Sequence, residues 1–174
     1  VIFDGVSFLI NPGERIGLVG KNGTGKSTLF RMILGNEKQD AGTLSTPKGY
    51  RIGALEQHIH FTQPTVLAEC IQALPAEKQW DHYKAEIILS GLGFTEQDFQ
   101  KDPTTFSGGF QVRINLCKAL LADPNMLLLD EPTNYLDILS LRWLKEYLNK
   151  WPGEMILITH DRDFMDKVTT HTLG

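Results

Sequence analysis

The chain has 174 residues, of which 41% are hydrophobic and 22% are charged, and its net charge is −4. These proportions are typical of a globular domain and exclude a disordered or fibrous chain. The apolar runs are far shorter than the roughly 18 residues of a membrane-spanning helix, and the acidic balance argues against a broad basic surface for nucleic acid. Cys70 and Cys117 stand too far apart in the sequence for a metal pair and show no disulfide framework, so we expect a reducing, cytoplasmic setting.

A strand, a glycine-rich loop and a helix are predicted in succession near the start of the chain. "ERIGLVG" is a short apolar run that reaches a glycine, and "KSTLFRMILG" has apolar residues at helical spacing with Gly35 as its stop. Between them, "GKNGTGKST" satisfies the phosphate-loop pattern G-x-x-x-x-G-K-S/T, in which Lys26 binds the β and γ phosphates and Ser27 offers its hydroxyl to Mg²⁺. The predicted nucleotide-binding residues of this loop are Gly20, Lys21, Asn22, Gly23, Thr24, Gly25, Lys26, Ser27 and Thr28.

The middle of the chain carries weaker signals. "YRIGALE" predicts a second strand, and the amide of Gln57 after it is able to reach a metal or an attacking water, although a solvated glutamine has the same spacing. His58 and His60 have no third ligand at zinc spacing, and we interpret them as solvated side chains. The more polar sequence that follows predicts short helices over Leu67–Leu74 and His82–Leu89.

A second glycine-rich helix start occurs in "FSGGFQ". A serine and two glycines ahead of a helix suit an anion, because the exposed N–H groups and the helix dipole favour negative charge there. In the helix that follows, Val112, Leu116, Ala119 and Leu120 share one face. Arg113 and Lys118 of the same helix are predicted to lie on its solvated face, and the tryptophans of the chain, Trp80, Trp143 and Trp151, are predicted to be packing residues.

The last third of the chain predicts parallel strands around a helix. "MLLLD" and "MILIT" are continuous apolar runs of strand length, as expected for strands covered on both faces. Between them, Ile138, Leu141, Leu144 and Leu148 recur at helical spacing. Strand, helix and strand together predict an α/β core, with the helices of the middle segment as a separate lobe.

Three polar side chains follow these two apolar strands. Asp130 ends the first strand beside the phosphate loop and is placed to hold Mg²⁺ through water. Glu131 is placed to polarise a water for in-line attack on a γ-phosphate. His160 follows the second strand and is predicted to emerge at the same edge of the sheet.

In this order, the motifs resemble those of an ATP-binding cassette nucleotide-binding domain. "GKNGTGKST" is similar to its phosphate loop, "SGGFQ" to its signature and "LLLDE" to its Walker B strand and catalytic glutamate. The resemblance implies that Gln57 is the Q-loop glutamine, Asp137 in "NYLD" the D-loop aspartate and His160 the switch histidine. It implies an α/β P-loop NTPase fold with a parallel-sheet core, an antiparallel N-terminal β part and a helical signature subdomain. The core is expected over about 1–60 and 120–174, and the helical subdomain over about 61–119.

The wording of two motifs resembles the F subfamily of these cassettes, soluble twin-cassette proteins that act on ribosomes. The two stretches are "FSGGFQVRINLCKALL" and "LLLDEPTNYLD". The resemblance implies Mg²⁺-dependent ATP hydrolysis by a cassette that closes head to tail on a second one, so that Ser107, Gly108, Gly109 and Asp137 act on the partner's ATP. We expect the chain to be one cassette of a longer twin-cassette protein.

Two alternatives remain from the sequence. One is the ATPase motor subunit of a membrane transporter, although no membrane segment is found in this chain. The other is a non-cassette P-loop kinase or GTPase, against which "SGGFQ" ahead of the Walker B strand argues.

Overall fold

Five short strands form one sheet in the computed structural model, which describes residues 4–21, 23–55 and 59–174. The strands are β1 Arg15–Leu18, β2 Ile52–Ala54, β3 Met126–Asp130, β4 Glu154–Ile158 and β5 His171–Leu173. The α-helices are α1 Lys26–Ile33, α2 Val66–Ile71, α3 His82–Gly91, α4 Gly108–Leu121, α5 Ile138–Lys150 and α6 Arg162–Val168. Short 3₁₀ turns span Ala76–Lys78, Glu96–Asp98 and Pro103–Thr105.

All neighbouring strands of the sheet run parallel, in the order β2-β3-β4-β1-β5. In the central pair β3 and β4, Asp130 lies opposite Ile158. The carboxyl ends of β1, β3 and β4 therefore meet at one edge, where ligands bind in open parallel sheets. The phosphate loop, Glu131 and His160 follow these three strands.

The two central strands bury both of their faces, as their continuous apolar sequences predicted. Leu127 and Leu129 of β3 pack in a core with α2 to α6, whereas Met126 and Leu128 face the opposite side, where Phe30 of α1 lies. This alternation follows the two-residue period of a strand. The predicted parallel-sheet α/β core is thus confirmed, with helices on both faces of the sheet.

The antiparallel N-terminal β part is not formed in the described residues. Neither 4–14 nor 34–51 contains a strand, and the side chains of Val6 and Leu9 are 60% and 78% exposed. A lone extended segment leaves its N–H and C=O groups unpaired, so it gains regular strand structure only beside a partner strand.

The prediction that all three tryptophans are packing residues is wrong for Trp80. Trp80 is 90% exposed and is not a packing residue, whereas Trp143 and Trp151 are partly buried against the core. Ile138 is 81% exposed although α5 forms as predicted, because Asp137 caps the helix at that point and leaves its first residue outside the core contact. Leu144 and Leu148 of the predicted face are fully buried.

The two thiols, which are distant in sequence, lie together where α2 packs on α4. Cys70 and Cys117 are both free and fully buried, and the fold brings them into hydrogen-bonding contact despite their separation in sequence. Burial, reinforced by the neighbouring Cys70, raises the pKa of Cys117 well above its usual value. The pair therefore behaves as apolar packing material rather than as reactive thiols.

A buried ion pair joins α2 to α4. The side chain of Glu69 is 1% exposed and accepts hydrogen bonds from Lys118 Nζ at 2.5 Å and from the backbone N–H groups of Thr62 and Gln63 at 2.8 and 2.9 Å. Burial raises the pKa of Glu69, but these three donors together lower it more, so its net shift is downward. The prediction of a solvated Lys118 is therefore wrong: its ammonium group is drawn to a buried carboxylate.

Glu69→Ala is expected to lower the free energy of unfolding by about 3 kcal/mol, because it removes the acceptor of three hydrogen bonds and leaves Lys118 without its counter-charge. The measurement is urea unfolding at pH 7. The matched control is Asp163→Ala, which removes an exposed ion pair with Lys167 and is expected to cost much less than Glu69→Ala, because solvent screens exposed ion pairs. Similar losses for the two variants would contradict the structural role of Glu69.

The same pair predicts a pH dependence. The pKa of Glu69 is lower in the folded than in the unfolded state, so its stabilising contribution is complete above the unfolded-state pKa of about 4.3 and is lost as the pH falls. The difference in stability between the parent chain and Glu69→Gln should therefore shrink as urea unfolding is repeated from pH 7 down to pH 3.

Candidate functional site

The phosphate loop connects β1 to α1 and is shaped by left-handed glycines. Gly23 and Gly25 have φ angles of 84° and 95°, a conformation that side chains with a Cβ rarely adopt. Lys26, the first residue of α1, turns back so that its Nζ donates to Gly20 O at 2.8 Å and to Lys21 O at 3.0 Å. A cation thus lies inside the loop, next to a helix start whose first N–H groups have no partner within the helix.

Other members of the predicted loop set have different surroundings. The Thr24 hydroxyl donates to Lys21 O at 2.9 Å and stabilises the turn. Thr28 is buried, and its hydroxyl accepts a hydrogen bond from Arg31 Nη2 at 3.1 Å. This side chain therefore makes a contact within α1. Asn22 lies outside the described residues.

An oxygen pair links the phosphate loop to the end of β3. The Ser27 hydroxyl donates to Asp130 Oδ2 at 2.8 Å, across 103 positions of sequence. The predicted metal-binding residues Ser27 and Asp130 are therefore neighbours. Hydroxyl and carboxylate oxygens are the donors that Mg²⁺ prefers, so the chemistry of this pair fits that ion. Gln57, the third predicted ligand, lies outside the described residues.

Glu131 and His160 face each other at the same edge of the sheet. The Glu131 N–H donates to Ile158 O at 2.8 Å, and its φ of 50° turns the chain sharply at the end of β3. The carboxylate then lies 3.4 Å from His160 Nε2 and accepts from the His160 N–H at 3.3 Å. A positive φ in a residue other than glycine is strained, and such strain is found preferentially at functional sites.

The signature segment starts α4 and presents an open helix end. Ser107 and Gly108 are exposed, and the Ser107 side chain does not cap the helix. The loop before it is fixed by Gln111, whose Nε2 donates to Phe106 O at 2.8 Å and to Thr104 O at 3.3 Å. Within the described part of the chain, none of these contacts involves the phosphate loop.

Arg113 joins the signature helix to the D-loop segment, and the sequence prediction missed it. Its side chain is 8% exposed, so the predicted solvated position is wrong. The guanidinium group donates twice to Tyr135 O, at 3.0 and 2.6 Å, once to Asp137 Oδ2 at 3.0 Å and once to Leu92 O at 2.8 Å. It also stacks over the Phe110 ring, 4.5 Å from the ring centre. The helical spacing of the sequence could not predict the burial of Arg113, because its hydrogen-bond acceptors come from segments distant in sequence.

Asp137 is held in place by the same network. Its carboxylate accepts from the Ser140 N–H at 2.9 Å, which caps α5, and from Arg113. The Ser140 N–H, together with hydrogen bonds from Arg113 and the Ser140 hydroxyl, lowers the pKa of Asp137 to about 2 against the opposing effect of desolvation. The carboxylate predicted to bind nucleotide is therefore ionised and engaged in bracing the D-loop.

A family model described as ABC transporter matches residues 3–134, more than half of the chain. The chain belongs to the ABC transporter family. It is an ATP-binding cassette with the α/β P-loop fold of that family. No helix among residues 4–21, 23–55 and 59–174 is both long and apolar enough to cross a membrane.

Individual relatives agree with this assignment. Over 176 residues, 99% of this cassette and 32% of the relative, the chain is 38% identical to the energy-dependent translational throttle protein EttA of Escherichia coli strain K12. Over 198 residues, 97% of the cassette and 31% of the relative, it is 33% identical to the probable ATP-binding protein YheS of the same strain. EttA and YheS are ABC-F family proteins, the subfamily that the sequences of the signature and Walker B motifs of this chain resemble.

A solved structure supports the fold. The archaeal ribosome recycling factor aABCE1, in complex with the archaeal ribosomal stalk protein aP1, is 27% identical and superposes with a TM-score of 0.76. The match covers 92% of this cassette and 31% of the recycling factor. The cassette thus spans about a third of the length of each of these three relatives.

The two signature glycines predict different responses to a methyl group. A Cβ on Gly109 would lie 3.1 Å from the Tyr135 Cβ, whereas a Cβ on Gly108 would meet nothing within 4 Å. Tyr135 has a φ of 66° and is held by Arg113, so it cannot move away freely. We expect Gly109→Ala to lower the free energy of unfolding by about 1 kcal/mol and Gly108→Ala to change it by less than about 0.5 kcal/mol in urea unfolding. Equal shifts would show that Tyr135 does not restrict the signature.

Proposed function

We propose that this cassette hydrolyses ATP to ADP and phosphate in a Mg²⁺-dependent reaction. The observation that supports it is the convergence of Lys26, the Ser27–Asp130 oxygen pair and the Glu131–His160 pair at one edge of a parallel sheet. These five side chains come from the ends of three strands, β1, β3 and β4, and the family contains ATP-binding cassettes.

In this proposal the phosphate loop and the metal ligands bind the nucleotide. Lys26 and the N-terminal N–H groups of α1 neutralise the β and γ phosphates. Ser27 and Asp130 hold Mg²⁺, assisted by Gln57 on the resemblance to the family. When bound, the ion neutralises charge that develops on the phosphate oxygens. Its ligands are oxygen atoms that already lie within hydrogen-bonding distance of each other.

In this proposal Glu131 and His160 activate and orient the attacking water. The Glu131 carboxylate accepts a proton from the attacking water, or orients it, for in-line attack on the γ-phosphate. His160 contacts that carboxylate through both its backbone N–H and its ring, and so fixes its orientation. The strained backbone of Glu131 helps to point the side chain away from β3.

We further propose that two cassettes close head to tail on ATP. Residues of about 61–119 then form a helical subdomain that offers Ser107, Gly108 and Gly109 to the partner's γ-phosphate, while about 1–60 and 120–174 form the core. The uncapped Ser107 at the start of a 14-residue helix suits that role. Arg113 makes the signature and the D-loop move together, because it bonds to the segment Tyr135–Asp137 from the signature helix itself.

The partner proposed for the whole protein is the ribosome, in the cytoplasm. The support is the likeness to a relative named as a translational throttle protein and to a ribosome recycling factor seen with a stalk protein. The name of the family model, ABC transporter, supports the alternative of a transporter motor subunit.

Nucleotide binding and turnover should respond differently to two substitutions. Lys26→Ala should weaken ATP binding, because it removes the cation of the phosphate loop, whereas Glu131→Gln should keep binding and abolish turnover. Calorimetry gives the affinity and phosphate release gives the rate. A Glu131→Gln variant that hydrolyses ATP at the parent rate would show that Glu131 does not act on the water.

The same rate measurement tests the head-to-tail arrangement. Over a series of concentrations of the parent cassette, the rate per molecule should rise until dimers saturate, because each site needs the signature of a second copy. A rate that is high and independent of concentration would mean that one chain holds a complete site.

Ribosome association should depend on the nucleotide state. In the full-length parent protein, Glu131→Gln should co-sediment with ribosomes in ATP, since it preserves the closed form, and far less in ADP or high salt. The isolated cassette, without its twin, serves as the control and should stay in the supernatant. Recovery of the full-length variant with a membrane protein rather than with ribosomes would replace this proposal with the transporter alternative.

A further inference from the structure

A groove with aromatic walls lies between α3, the turn Glu96–Asp98 and α5, and none of the predicted nucleotide residues lines it. It has a volume of about 760 Å³. Tyr83 and Ile87 of α3 line it and are each 55% exposed, and Phe99 and Trp143 complete its apolar surface. Large exposed apolar side chains that cluster in this way mark interaction sites rather than ordinary surface.

The shape of the groove is fixed by close packing. Trp143 lies directly against Gly91, where an added Cβ would come within 2.1 Å of the indole ring. Trp143 also stacks on Tyr147, with ring centres 5.2 Å apart. The wall is therefore formed before any partner arrives, which lowers the entropy cost of binding.

The polar lining of the groove is acidic. Glu86 and Glu96 both line it and both are exposed, and no lysine or arginine is among its lining residues in the described chain. The nearby Lys84 on α3 is paired with Asp81 at 2.6 Å, so it does not neutralise these carboxylates. A groove with this composition attracts cations that carry apolar or planar groups.

We propose that this groove is a docking site for a basic polypeptide segment, in which lysine or arginine side chains alternate with apolar ones. Apolar side chains of the segment pack between Ile87 and Trp143, and its cations pair with Glu86 and Glu96. The acidic lining repels the phosphates of RNA, and a second copy of this chain would bring like charges face to face. The inference does not depend on ATP hydrolysis or on ribosome binding.

The groove is connected to the signature by one hydrogen bond. Leu92, which follows the groove residue Gly91, accepts from Arg113 Nη1 at 2.8 Å. Arg113 in turn bonds to Tyr135 and Asp137 of the D-loop. A segment bound in the groove therefore lies one residue away from the network that braces the signature.

The experiment measures fluorescence anisotropy of a labelled peptide of about 16 residues that repeats Arg, Leu, Lys and Ser, titrated with the 174-residue cassette. We expect saturable binding that weakens as salt rises from about 50 to about 500 mM. Two further peptides test the two parts of the recognition: one replaces Leu by Ser, and the other replaces Arg and Lys by Glu. Both should bind more weakly.

Matched variants locate the site. Glu86→Lys with Glu96→Lys should weaken binding about tenfold, because two attractions become repulsions. The control, Asp40→Lys with Asp166→Lys, makes the same change of net charge at exposed positions outside the groove and should weaken binding less than about threefold. Ile87→Ser tests the apolar contact with the net charge unchanged. Circular dichroism and urea unfolding confirm that each variant is folded.

Three results would overturn the proposal. Equal losses in the groove and control variants would show that the peptide responds only to net charge. Full affinity in Ile87→Ser would show that the apolar wall is not used. Tighter binding of a labelled single-stranded RNA than of the peptide, reduced by Ile87→Ser, would assign the groove to nucleic acid instead.

Discussion

The parallel pairing of β3 with β4 is the constraint on which the candidate site depends. Asp130 lies opposite Ile158, and the Glu131 N–H extends the pairing to Ile158 O before the chain turns at a φ of 50°. Because parallel strands end at the same edge, two residues 29 positions apart in sequence meet, and His160 Nε2 lies 3.4 Å from the Glu131 carboxylate. Both strands have continuous apolar sequences, which allow them to pair in the centre of a sheet that is covered on both faces.

Two cationic side chains on α4 connect this helix to other segments of the chain. Apolar packing alone leaves a helix some freedom to rotate or slide, whereas hydrogen bonds from a buried side chain fix its direction. Arg113 binds the carbonyl groups of Leu92 and Tyr135, and Lys118 binds Glu69, which in turn holds the backbone of Thr62 and Gln63. The signature helix is thereby attached both to the D-loop and to the segment that precedes α2. These contacts fix the position of α4 relative to both segments.

Some parts of this structure could be predicted from the sequence and others could not. Local patterns predicted the phosphate loop, the apolar strands β3 and β4 and the helices α1, α3 and α5. These elements could be predicted because a buried strand and an amphipathic helix each leave a pattern of apolar residues within a few neighbouring positions. The strand β5 is three residues long with no apolar alternation, and it exists only through its pairing with β1. The burial of Arg113 and the ion pair of the half-buried Lys118 could not be predicted either, because a charged residue at helical spacing is normally solvated unless a distant acceptor meets it. The fold thus follows from local signals, while the polar connections between its parts depend on contacts distant in sequence.

The charge pattern separates two kinds of recognition on one helical segment. The start of α4 is an open helix end with an exposed serine and glycine, which favours an anion. The groove between α3 and α5 presents Glu86 and Glu96 and favours a cation. Because their charge preferences are opposite, a nucleotide phosphate and a basic segment do not compete for the same place. Arg113 contacts the backbone beside both, at Leu92 near the groove and at Tyr135 against the signature glycine. Any displacement of the α3 end by a bound segment must therefore stretch a hydrogen bond of the residue that holds the signature in position.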